Sequence, residues 1–241
     1  MKVMLERKRH KVNHKRIRRI SRKIGIEAIH PKPKLTKQFS EHRKYPYLLR
    51  DLSIDRPDHL WCSDITYIRM KYGFVYLVAI MDWFSRYVLS FEVSTTLDKE
   101  FCIKALKIAL SSSKPEIFNS DQEVQFTNDE FIACLKEKEI WISMDGRGRA
   151  HDNIFIERLW RTVKYEEVYL NEYETVKEAV SWFGWHFYFY NNERPHQTLE
   201  YKTPCEIYQN SHIKQILFIL RIDLKLKMST LLMLLFCLYN G

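Results

Sequence analysis

Three acidic residues stand where packing alone gives little reason for an acid. Asp64 lies inside the apolar run LWCSDITYI, where burying a carboxylate is costly unless something uses its charge. Asp121 follows the short stretch IFNS, so a strand there would aim the side chain out of its end. Glu157 is placed by helical arithmetic. Ile156, Leu159, Trp160 and Val163 recur at i, i+3, i+4 and i+7 and mark a buried stripe, whereas Asn153, Glu157, Arg161 and Lys164 share another, polar face. The chemistry such acids suggest is that of bound metal. The bland alternative for Glu157 and Arg161 is an ordinary solvated i, i+4 pair, worth a few tenths of a kcal/mol, on the order of 0.3.

The elements that must hold these residues can be read from periodicity. HLWCSDITYIRM and GFVYLVAIMDW are rich in β-branched and aromatic residues, with Lys71 to Gly73 between them as a hairpin turn, and RYVLSFEV makes a third strand. DKEFCIKALKIAL reads as an amphipathic helix with Phe101, Ala105, Ile108 and Ala109 on one side. PEIF is a fourth strand, NDEFIACLKEK a second helix and EIWIS a fifth strand. The loop DGRGRA, a helix from Asp152 to about Glu166 and a long aromatic helix, TVKEAVSWFGWHFYFYNN, follow. The pattern predicts an α/β domain in which three antiparallel strands come first and helices then interrupt the sheet.

Charge divides the chain. Residues 1–50 carry 17 Lys/Arg against 3 Asp/Glu, and the remaining residues 22 against 27, so the net +9 is the work of a basic N-terminal arm. A basic arm on a mildly acidic body points to a polyanion, with nucleic acid first, since phosphate contacts supply most non-specific affinity. The acidity of the body is the second hint of metal. Within the arm, residues 13–25 read as a helix capped by Asn13 and ended by Gly25, with Ile17, Ile20 and Ile24 as its apolar stripe and Arg16, Arg18, Arg19, Arg22 and Lys23 on its surface. We expect a basic helical segment over 1–30, a Pro-interrupted basic linker over 31–54, a main domain over 55–210 and an atypical apolar tail over 211–241. The five cysteines lack a C-x-x-C pair and read as free thiols of a reducing compartment. No secretory signal is evident, and the longest apolar run, LLMLLFCLY, is too short to cross a bilayer, so a cytoplasmic, nucleoid-associated protein without a membrane partner is expected.

An Asp on the first strand, an Asp leaving the fourth and a Glu on a later helix, thirty-five residues beyond the second Asp, resemble the DD(35)E triad of retroviral-type integrases and transposases. The resemblance narrows to the catalytic, second-frame product of IS3-family insertion sequences. It is carried by W-x-x-D-I-T-Y-I at 61–68, F-N-S-D-Q with Q-F-T at 118–127 and S-M-D-G-R-G-R-A-x-D-N at 143–153. E-R-L-W-R-T-V-K-Y-E-E-V-Y-L at 157–170 and Y-N-x-x-R-P-H-Q-T-L at 190–199 complete it.

The resemblance implies an RNase H-like fold with a five-stranded mixed sheet. It makes Asp64, Asp121 and Glu157 the catalytic and metal-binding acids for Mg²⁺ or Mn²⁺, two ions in all. Arg161, Lys164, Asn153, Arg147 and Arg149 are its expected DNA contacts, alongside the arm residues. The implied activity is metal-dependent DNA cleavage and strand transfer by a homo-oligomer on the DNA of element ends and target. A helix-turn-helix product of the upstream frame, separate or fused, is the implied partner. An RNase H-like nuclease without strand transfer and a DNA-binding remnant are the competing readings. The remnant reading draws on two departures, Glu123 and Glu200, where related transposases carry glycine, and on the tail. Glu123 is expected to strain its loop or to repel incoming phosphate.

Overall fold

In a computed structural model of the chain, residues 2–23, 45–145, 154–211 and 213 are described, the side chain of Arg22 excepted. Five strands form one sheet: β1 (Leu60–Arg69), β2 (Phe74–Asp82), β3 (Val88–Ser94), β4 (Ile117–Ser120) and β5 (Trp141–Met144), in the order β3-β2-β1-β4-β5. The first three are antiparallel neighbours, and β4 and β5 join β1 in parallel. This is the RNase H-like sheet that the motifs implied. The β1–β2 turn closes where expected: Gly73 takes φ +90°, a value that L side chains avoid, and its carbonyl accepts the Met70 N–H at 3.0 Å.

Alternation along the strands divides the core into two layers. Trp61 and Ile65 of β1 face one layer, which α3 (Glu100–Leu110) and α5 (Asp129–Glu137) cover with Phe101, Leu106, Phe131 and Leu135. Cys62 and Ile68 face the other. There α6 (Ile154–Val163) brings Ile156, Leu159, Trp160 and Val163, and α7 (Val176–Asn192) brings Ala179, Phe183, Phe187 and Tyr190. Asp64 has the parity of Cys62 and therefore belongs to the α6 side. The helix over Glu100–Leu110 departs from the expected face at one residue: Ile108 is exposed, and Cys102, Ile103 and Leu106 are buried in its place. Two capped starts hold their helices: the Asn128 side chain accepts the Glu130 N–H at 2.9 Å, and Thr175 accepts that of Glu178 at 3.1 Å.

Two further differences concern the helices near the acids. A one-turn helix, α4 (Val124–Thr127), follows Asp121 where sequence showed only a polar loop. The regular turns of α6 stop at Val163, and Lys164–Val168 continue as a π-helical turn instead of the uniform helix expected to Glu166. The wider turn splits two adjacent acids: Glu167 points in, accepting from Tyr173 Oη at 2.9 Å and Asn171 Nδ2 at 2.8 Å. Glu166 points out to a two-pronged pair with Arg194, at 2.8 and 2.5 Å.

In the arm, α1 (Lys2–Arg7) precedes α2 (His14–Lys23), whose start the Asn13 side chain caps by accepting the Lys15 N–H at 3.0 Å. The expected stripe is not buried, since Ile17 is half-buried and Ile20 exposed; Ile24, linker residues 31–44 and the tail beyond residue 213 lie outside the described residues.

Glu200 closes the 3₁₀ turn Gln197–Leu199 with φ 55° and ψ 37°, the left-handed region. A Cβ crowds the carbonyl there, which is a conformational reason for glycine at this position. Glu200→Gly is expected to stabilise the domain by about 1 kcal/mol, read as a higher urea midpoint at unchanged slope; a midpoint that falls or stays put would contradict the strain.

Candidate active site

The parallel register of β1 and β4 determines how the acids meet. Leu60 lies opposite Ile117, Trp61 opposite Phe118 and Cys62 opposite Asn119; carried two residues further, the same register sets Asp121 level with Asp64. Neighbouring strands run roughly 4.8 Å apart, so two carboxylates share one edge of the sheet. Pairing has ended by then, which opens the strands at the point where the acids project. The position is the carboxyl end of the parallel strands, beside the strand at which the sheet changes from antiparallel to parallel.

The electrostatics record this crowding. Burial, followed by the charges of Asp121 and Glu157, pushes the Asp64 carboxyl up to about 7, against hydrogen bonds from Trp160 and from the Ile65 backbone. Burial also raises Asp121, whose Oδ1 accepts the Glu123 backbone N–H at 3.0 Å. Glu157 sits on the exposed face of α6 beside the buried stripe, as the helical arithmetic requires, and its charge reaches Asp64. The solvated pair is not observed: among the described residues no ion pair joins Glu157 to Arg161. The hydroxyls nearby serve the backbone, Ser63 donating to the Ala79 carbonyl at 3.0 Å and Ser120 to that of Asp121 at 3.1 Å.

Glu123 departs from expectation in its backbone. Its backbone is ordinary, with φ −65° and ψ 149°, so no glycine-only conformation is forced and the loop is not strained there. Its side chain turns toward the acids instead. Oε2 is buried with no hydrogen-bond partner, and burial together with the charges of Asp121 and Asp64 raises the carboxyl well above its ordinary range. Sequence flagged the residue but not this direction.

An uncompensated cluster of carboxylate oxygens with an orphaned buried oxygen fits a divalent cation in kind and in charge. Among the described residues, however, no three His, Cys, Asp or Glu side chains converge closely enough to ligate a single ion. Asp64 and Asp121 are the pair brought together, with Glu157 held on the helix above.

Of the other expected site residues, Arg161 is exposed and Lys164 half-buried at the start of the π turn. Arg16, Arg18, Arg19 and Lys23 are exposed on α2, where Lys15, Arg18, Arg19 and Lys23 line one open depression. Lys15 was not singled out by sequence, although its type and place on the helix could have shown it. Arg147, Arg149 and Asn153 lie outside the described residues, as does the Arg22 side chain. Trp160, read as a core residue only, is 6% exposed and also donates its indole N–H to Asp64 Oδ2 at 2.8 Å.

The domain has known counterparts. Residues 54–150 match one model of the integrase core domain, and residues 138–204 match another. The fold is similar to the HTLV-2 integrase catalytic core solved in complex with magnesium (TM-score 0.52, 21% identity, covering 64% of this chain and 97% of that one). It is also similar to the BIV integrase catalytic core (TM-score 0.53, 20% identity, 66% and 99%). The chain thus carries an integrase catalytic core on an RNase H-like fold. Within that class it is similar to transposases of bacterial insertion sequences. It is 29% identical over 163 residues to the transposase for IS629 of Shigella sonnei and 30% over 152 residues to that for IS904 of Lactococcus lactis. These matches cover 65% and 61% of this chain; to transposase InsF for IS3A of Escherichia coli it is 30% identical over 122 residues, 49% of this chain and 42% of that protein. It spans only 54% and 60% of the length of the IS629 and IS904 proteins.

The raised Asp64 carboxyl has a consequence for stability. Because its folded value lies above the unfolded one, its contribution is fully present below about pH 4 and is lost as pH rises through about 7. In the absence of divalent ions, Asp64→Asn is expected to be more stable than wild type at pH 8 by about 1–2 kcal/mol, the gap closing toward pH 4. Urea titrations across that range check it, and a gap independent of pH would remove the electrostatic account.

Proposed function

We propose that the chain is the catalytic component of an insertion-sequence transposase, cutting DNA strands at the element's ends and joining the freed 3′-hydroxyls to target DNA. The observation that carries this reading is the level placement of Asp64 and Asp121 on neighbouring parallel strands, with Glu157 on the helix that covers the same side. These three acids would hold Mg²⁺ or Mn²⁺. The bound ions would supply Lewis-acid activation of the attacking oxygen and neutralise charge at the leaving one.

In cleavage, water attacks a phosphodiester and leaves a 3′-hydroxyl. In joining, that hydroxyl attacks a second phosphodiester in line, forming one P–O bond as another breaks. The protein provides no nucleophile, in keeping with Ser63 and Ser120 being engaged to backbone carbonyls. Arg161 and Lys164, one and two turns beyond Glu157, would hold the terminal DNA, with Arg147, Arg149 and Asn153 as further contacts. The basic surface of α2 suits sequence-independent phosphate binding. End recognition falls to an upstream-frame helix-turn-helix protein, separate or fused, and the reaction to a homo-oligomer assembled on DNA in the bacterial cytoplasm. No helix among the described residues is long and apolar enough to cross a membrane.

Gel assays with labelled element ends and a target plasmid test the reading. Joined products should require Mg²⁺ or Mn²⁺ and disappear in Asp121→Ala. Cleavage without joining would leave a nuclease, and identical behaviour of wild type and Asp121→Ala would overturn catalysis.

A second reading, an impaired catalyst, is favoured by Glu123 alone. Its buried carboxyl lies beside Asp121 and Asp64 and, pushed up to about 8, adds negative charge there only as pH reaches that value, which would oppose an incoming phosphate. Glu123→Gly is expected to raise the joining rate at pH 8 about tenfold, the equivalent of roughly 1.4 kcal/mol in the barrier. An unchanged or lower rate would show the residue to be harmless or useful.

A further inference from the structure

We infer that Trp160 is a positioning residue for Asp64, acting through its indole N–H rather than only through its ring; this rests on the function proposed above. The bond runs from α6 to β1, Nε1 to Oδ2 at 2.8 Å, between residues ninety-six apart in sequence. Both ends are unusual choices. A buried indole N–H needs an acceptor, and this one takes a carboxylate that the acid pattern marks for chemistry. The carboxylate, for its part, faces the charges of Asp121 and Glu157, so it would relax by turning away from them unless a donor held it.

The donor is well suited to that task. An indole N–H donates only; it cannot accept or change tautomer, and it does not ionise in the working range. It commits Oδ2 and leaves Oδ1 the better placed atom for a cation, which limits the orientations open to the carboxylate. Trp160 is also three residues beyond Glu157, one turn along the same helix. One turn therefore carries both the acid that joins Asp64 in the site and the group that orients Asp64. Docking the Trp160 ring into the layer with Cys62, Leu77 and Ala79 sets the distance from β1 to Glu157 in the same step. Partners that orient a ligand in this way affect metal affinity by about tenfold to a hundredfold.

The test uses Mn²⁺ alone as probe, titrated into the full chain and followed by the electron paramagnetic resonance of the free ion. Trp160→Phe keeps an aromatic ring and removes the donor. Replacement of Trp160 by benzothienylalanine keeps the two-ring shape and exchanges only N–H for sulfur, which covers the case in which Phe packs poorly. Each is expected to bind Mn²⁺ about tenfold or more weakly, with the benzothienyl variant unfolding at the wild-type temperature. A ring that merely packs would leave that affinity unmoved. Wild-type affinity in the benzothienyl variant overturns the inference, as does wild-type protein that binds no Mn²⁺. Wild-type protein whose Mn²⁺ affinity depends on the Trp160 donor, yet which neither cleaves nor joins DNA, overturns the transposase reading alone and leaves the positioning role standing.

Discussion

Two carboxylates set level on adjacent strands repel each other, and much of the surrounding architecture is arranged to hold them there. The parallel register of β1 and β4 puts Asp121 opposite Asp64 in a half-buried place, and the raised Asp64 carboxyl shows that the cost is not fully relieved. Such a pair persists only where the rest of the fold over-determines it. The over-determination is visible: the antiparallel β1–β2 pairing runs along all of β1 but its first residue, from Trp61 opposite Asp82 to Arg69 opposite Phe74, so β1 cannot slip to move its acid away. On the other side, β5 anchors β4. The Asp145 N–H bonds the Ser120 carbonyl, and the Asp145 carboxylate accepts from Asn119 Nδ2 at 2.9 Å.

The helix side is tied down with similar redundancy. The α6 stripe buries Ile156, Leu159, Trp160 and Val163 against the sheet, and the π turn that follows sends Glu167 inward to Tyr173 and Asn171 and Glu166 outward to Arg194. Arg194 belongs to the segment after α7, so the end of α6 is linked to that segment by a bidentate pair. These contacts explain how an exposed glutamate can keep a defined place relative to an acid on the sheet. Its helix has little freedom to roll.

Glu123 and Glu200, the two glutamates at which the resemblance implied glycine, have two different physical meanings. At 200 the backbone is left-handed and a side chain of any kind is unfavourable. At 123 the backbone is ordinary, and the effect comes from where the carboxylate goes, into the company of Asp121 and Asp64. Residue identity could not separate the two cases, because backbone angles and side-chain surroundings are both products of the folded chain.

Much of the fold was legible because its signals are local. Strand runs, the Gly73 hairpin, the Asn13 cap and the α6 stripe depend on residues within a turn or two of each other. Asp64 was legible as an anomaly, a charge in an apolar strand, and Glu157 by its helical face; the motif spacing linked them to Asp121. What sequence could not supply were relations between segments far apart in the chain. The level register of β1 and β4 is one, the widening of the helix after Val163 another, and the bond from Trp160 to Asp64 a third. Trp160 satisfied a hydrophobic periodicity completely, so nothing local distinguished its N–H from any buried indole. Sequence by itself determined which residues carry charge, which faces are apolar and how the elements succeed one another, since those follow from side-chain chemistry and periodicity. Only the tertiary structure decided which charges face one another and which donor holds them, because those energies depend on distances set by packing.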